Sequence, residues 1–127
     1  MRPLEVRTEV PSGLAAPEAA RTFVRSVADR LPGPMVDDTC LLVSELVTNS
    51  YKHAGNPDGF PIEVVLDLTE ERLRLEVIDR SIFDPTPEST AELRDVKWGL
   101  SLVDKIADRW GRISEGGVWA ELRNPPG

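Results

Sequence analysis

Cysteine is almost missing from this chain: Cys40 is the single one in 127 residues. An internal disulfide is therefore excluded, and the usage fits a reducing compartment. Cys40 falls in an apolar stretch, where a lone thiol behaves as a small core residue. Long hydrophobic runs are missing too. None approaches the roughly 20 residues a membrane helix needs, and Met1-Arg-Pro-Leu-Glu-Val-Arg7 has no apolar core of the signal-peptide kind. These absences lead to the expectation of a cytoplasmic protein with no membrane contact. Basic charge is in deficit, with 15 Lys and Arg against 22 Asp and Glu and a formal charge of −7. That argues against a nucleic-acid binder, which needs a basic surface. It leaves room for a single nucleotide, which needs only a local anion site. It would suit a basic partner surface, but plain solubility is the favoured reading of such an acid surplus.

Apolar residues make up 40% of the chain, enough for a real core in one domain spanning residues 1–127. No repeat or linker interrupts it. Leu4–Val10 alternates apolar and polar, as a half-buried strand does. Pro17 opens a helix whose apolar stripe is Ala20, Phe23, Val24, Val27, Ala28 and Leu31. Pro32-Gly33-Pro34 breaks it, and a second helix is expected from about Val36 to Ala54. After the turn residues Gly55 to Gly59, Ile62–Leu68 and Leu73–Ile78 flank a short connection and read as an antiparallel hairpin. Residues from about Ser81 to Lys97 lack a period. A third helix is expected from about Leu100 to Trp110, and a closing hairpin turns at Glu115-Gly-Gly117. Hairpins with helices inserted between them predict an α+β, two-layer α/β sandwich: a mixed, mostly antiparallel sheet with three helices on one face.

The most telling stretch is Glu45-Leu-Val-Thr-Asn49-Ser-Tyr-Lys-His53-Ala54. On a helix, residues four and eight apart stack on one face. Glu45, Asn49 and His53 thus form one polar column on an element that otherwise looks buried. A carboxylate in a core is costly without a partner. A bound cation with a polyphosphate would supply one.

Three segments then line up in order. Glu45 to Ala54 resembles the N-box of the gyrase, histidine-kinase and MutL-type ATPases, whose nucleotide-binding architecture is the Bergerat fold. Glu76-Val-Ile-Asp79, at a strand end, is similar to the start of that group's adenine-reading Asp box. Trp98-Gly-Leu-Ser-Leu-Val103, opening a helix, resembles its phosphate-receiving glycine turn. Trp110-Gly111 and Gly117-Val-Trp-Ala-Glu-Leu122 resemble one branch, the short bacterial anti-sigma-factor serine/threonine kinases. The resemblance spans nearly the whole chain.

The resemblance implies ATP and Mg²⁺ as cofactors. Asn49 would be the metal ligand through its amide oxygen, since magnesium takes hard oxygen ligands. The bland alternative is a helix asparagine bonded to nearby backbone. Glu45 would be the catalytic residue, orienting or deprotonating the hydroxyl that attacks the γ-phosphate, against a plain surface salt bridge. Lys52, His53 and Ala54 would lie near the phosphates. Asp79 would accept a bond from the exocyclic amine of adenine, against the role of a strand-end cap. Gly99, Leu100 and Ser101 would meet phosphate through a helix start. The implied partners are a sigma factor and a small STAS-type anti-sigma antagonist, with no direct nucleic acid, and relatives of that branch are commonly dimers. Two departures stand out. Ser81 sits where the Asp box carries a glycine, and Lys97-Trp98 sits where the phosphate turn carries its earlier one. They favour, as the second expectation, a regulator that binds its partner without phosphoryl transfer.

Overall fold

The computed structural model describes residues 3–53, 61–80 and 100–124, and only the backbone of Lys52 and His53. Strand β1 (Leu4–Val10) leads into helix α1 (Ala16–Ser26), a short 3-10 turn (Ala28–Arg30) and the long helix α2 (Gly33–His53). Strands β2 (Ile62–Leu68) and β3 (Arg72–Ile78) follow. Helix α3 (Leu100–Ile106) precedes strands β4 (Arg109–Arg112) and β5 (Gly117–Arg123). The sheet order is β1-β2-β3-β5-β4. All four pairings among the described residues are antiparallel.

Alternation decides which side of the sheet is covered. Leu66 pairs with Leu75 and Leu75 with Ala120, which in turn pairs with Trp110. This row faces the helices. Leu66, Leu75 and Ala120 are buried, and they share one core with Leu42, Val43, Leu46 and Val47 of α2 and Val24 of α1. Each fully buried aliphatic side chain contributes roughly 1.5–3 kcal/mol from apolar area alone. Helix α1 buries Ala16, Ala20 and Val24, spaced four apart so that they form one stripe. Arg21 ties α1 to α2: its Nη1 donates to Ser44 Oγ at 2.9 Å, while its Nη2 bonds Glu18 at 2.6 Å.

Three boundaries differ from the sequence expectation, each for a physical reason. Helix α1 stops at Ser26, and the apolar stripe continues through the 3-10 turn to Leu31, which stays buried. Helix α2 starts at Gly33, because proline is tolerated in a first turn, where its missing N–H has no intrahelical partner to lose. Helix α3 ends at Ile106, not Trp110, which lies in β4 opposite Ala120. There, ladder pairing with β5 outweighs a helical spacing that Trp110 also satisfies.

Candidate functional site

Helix α2 carries several polar side chains, and three of its hydroxyls bond its own carbonyls. Thr39 and Ser44 are buried. Thr39 donates to the carbonyl of Met35 at 2.6 Å, Ser44 to that of Cys40 at 2.8 Å, and Thr48 to that of Ser44 at 2.6 Å. Such back-bonding is the ordinary way a helix absorbs hydroxyls. Asn49 breaks the rule. It is half-buried, and its Nδ2 is buried with no hydrogen-bond partner among the described residues. An unmet buried donor costs about 1–3 kcal/mol. The bland expectation, an asparagine bonded to nearby backbone, leaves that atom unaccounted for. A half-turn of the amide exchanges nitrogen and oxygen, so the same buried point can present an acceptor. An oxygen there suits a hard cation.

Glu45 stands one helical turn before Asn49. Its burial is partial, as is that of Asn49. This corrects the expectation of a column sunk into a buried helix. Helix α2 exposes a stripe containing Asp37, Asp38 and Leu41, the last 40% exposed. Glu45 and Asn49 lie along its margin, where a carboxylate keeps part of its hydration and can still meet a ligand. Lys52 and His53 fall on the last turn of α2, with side chains outside the described residues. Ala54 and Gly99 also lie outside them, as do Ser81, Lys97 and Trp98. Leu100 opens α3 with its side chain packed in the core, and Ser101 is exposed. Helix α3 packs on α2, and α2 packs across β3 and β5.

Asp79 follows β3 directly and is 6% exposed. Burial sets it apart from the usual solvated carboxylate at a strand end. Its backbone N–H donates to the carbonyl of Gly116 at 3.0 Å, and that of Arg80 donates to the same oxygen at 3.2 Å. Arg80 adopts φ +55°, so the chain turns sharply once Asp79 is placed. An L-residue in that conformation carries a cost of about 1 kcal/mol, and the surrounding contacts hold it there.

Arg112, on β4, was not singled out by sequence reasoning. It pairs with Val118, is half-buried, and has a buried Nη1. Burial pushes its guanidinium below the ordinary value, while the charge of Asp79 pulls it back up. The two groups therefore sense each other at one end of the sheet. The only sequence signal for it is an arginine at an inward position of a closing strand.

No group of three or more His, Cys, Asp or Glu able to hold a metal occurs among the described residues. A cation at Asn49 would therefore need water and phosphate oxygens for its remaining positions, which is how magnesium is ordinarily held. The residues present fit a nucleotide-borne Mg²⁺ and do not by themselves make a metal cage. No helix among the described residues is long and apolar enough to cross a membrane. A family model described as a histidine kinase-like ATPase domain matches residues 10–123, from the end of β1 to the end of β5. No curated protein matches the chain.

Proposed function

Because the chain belongs to the histidine kinase-like ATPase domain family, we propose that it is an ATP- and Mg²⁺-dependent protein serine/threonine kinase that also acts as an anti-sigma factor. Its substrate in this reading is a small STAS-type antagonist, and the protein freed by that phosphorylation holds the sigma factor. The observation that carries the reading is the buried Asn49 Nδ2, without a hydrogen-bond partner among the described residues, one turn from Glu45 on the helix that the resemblance marks as the metal-binding element.

Bound Mg²⁺ would offset phosphate charge and keep the γ-phosphate in line for attack. The chain's own residues do the rest. Asn49 offers the amide oxygen. Glu45 accepts the proton of the attacking serine or threonine hydroxyl as the new oxygen–phosphorus bond forms and the bond to ADP breaks. Asp79 accepts from the adenine amine. Lys52, His53, Ala54, Gly99, Leu100 and Ser101 flank the phosphates.

Intact-mass measurement of a STAS-type antagonist incubated with the protein, ATP and Mg²⁺ tests this. One added phosphate is expected with wild type and none with Glu45→Ala. ATP and Mg²⁺ should raise the melting temperature, since a ligand of the native state stabilises it. Asn49→Ala should remove most of that rise. No shift at millimolar nucleotide overturns the nucleotide reading. A second reading, a non-catalytic binder of the same partner, is favoured by Ser81 standing in place of a glycine. It predicts a complex with the antagonist or sigma factor and no added phosphate.

A further inference from the structure

We infer that Arg112 is a positioning residue for Asp79, and that it sets a preference for a purine bearing an exocyclic amine over one bearing a carbonyl at that position. The inference rests on the nucleotide reading above and extends it to a residue outside the three family boxes.

The sheet order supplies the geometry. Arg112 of β4 pairs with Val118 of β5, and Val118 pairs with Val77 of β3. Asp79 lies two residues beyond Val77. Residues 79 and 112 thus share the helix-covered face, on either side of β5. Glu71 and Asp108 share that parity at the far end of β3 and β4 but are exposed, whereas Asp79 is buried and Arg112 half-buried. The position of β5 in register with Asp79 is Gly116, held there by its carbonyl. Gly117 follows at φ +142°, and a Cβ on it would run into the carbonyl of Val77. Gly116 therefore places no side chain beside Asp79 on the covered face, where Val118 is the neighbour of Arg112.

Burial makes the pairing consequential. Asp79 is 6% exposed and the tip of Arg112 is buried. Either charge alone in that setting would be costly, whereas together they offset one another. A carboxylate has two acceptor oxygens, and a guanidinium only donates. With one oxygen occupied by Arg112, the other stays a pure acceptor with a fixed direction. An amine donates to it. A carbonyl in the same place sets lone pair against lone pair, and sites of this kind discriminate strongly.

The test uses ATP and inosine triphosphate, which differ at the position in question by amine against carbonyl. Wild type, Arg112→Met, Arg112→Lys and Asp79→Asn are titrated with each nucleotide and Mg²⁺ by calorimetry. Wild type should prefer ATP. Arg112→Met should weaken ATP by about tenfold, as expected for a hydrogen bond to a charged group, and leave inosine triphosphate unchanged. Arg112→Lys should recover part of the preference, and Asp79→Asn should lose it. Should Arg112→Met not fold, Arg112→Gln carries the same ratio test. An unchanged ratio, or an equal loss for both nucleotides, overturns the inference, since equal loss marks a merely structural role. A wild type that binds no ATP fails differently: it overturns the nucleotide reading, and this inference with it.

Discussion

The two faces of the sheet solve one problem in opposite ways. On the helix-covered face, Leu66, Leu75, Val77 and Ala120 exclude water with apolar area alone. The opposite face has no helix over it among the described residues, and it closes itself with charge. Glu121 is nearly as buried as a core leucine, with a side chain 8% exposed, yet it is ringed by arginines. Arg72 approaches it at 3.1 Å, Arg74 at 3.0 Å and Arg109 at 3.8 Å. Arg74 also lies 4.4 Å above the Trp119 ring and Arg109 lies 5.7 Å from it. Further along, Arg7 bridges Glu5 at 3.1 Å and Glu63 at 3.2 Å. The charges around Glu121 and Arg7 on the open face thus form self-neutralised sets, whereas Asp79 and Arg112 sit among apolar neighbours on the covered one. The same residue types are structural on the first face and candidates for chemistry on the second.

Four substitutions probe that contrast, in falling order of effect. Leu75→Ala should cost about 2–5 kcal/mol in a denaturant melt, because it opens a cavity in the layer between sheet and helices. A small loss would mean that the covered face is less tightly packed than its burial indicates. Glu121→Ala should cost about 1–3 kcal/mol, since it leaves the part-buried Arg74 without one of its carboxylate acceptors. The double variant with Arg74→Ala should cost less than the sum, because the two share partners. Additivity there would show that the network is only a set of neighbours. Glu18, on α1, has its carboxyl held below its usual value by the hydrogen bond from Arg21. The sign follows directly: a depressed carboxylate stabilises above the unfolded value and loses that contribution as pH falls through the folded one. Glu18→Gln should therefore slightly flatten the acid side of a pH–stability curve, with a small loss at neutral pH and none below the folded-state value, where Glu18 is already protonated. Arg7→Ala, in a strongly solvated pair, should leave the melting midpoint where it was. A clear shift would promote the edge of the open face to a structural role.

Much of this was legible in the chain. Alternation located β1, and short turn-bearing connections located β2, β3 and β5, because hairpins write their turns into the sequence. Glu45 and Asn49 were legible because helical spacing is local. The limits were equally physical. Trp110 fits a helical stripe with Leu102, Val103 and Ile106, and only a partner strand elsewhere in the chain decides otherwise. The margin position of Glu45 was missed because α1 and α3 cover only part of the circumference of α2, which depends on tertiary packing. Arg112 was invisible for the same reason. Its nearness to Asp79 follows from β5 lying between β3 and β4, and alternation carries no strand order.

That order has one more consequence, for biosynthesis. Of the five strands, β5 leaves the ribosome last, yet it takes an interior place. Until it emerges, β3 has an unpaired edge and the N–H groups of Asp79 and Arg80 lack the Gly116 carbonyl. A nascent chain would therefore carry a sticky leucine-rich ribbon from the completion of β3 until β5 emerges, and would gain nucleotide competence only with that closing hairpin. Stalling between residues 107 and 117 should be the interval in which chaperones engage it most strongly.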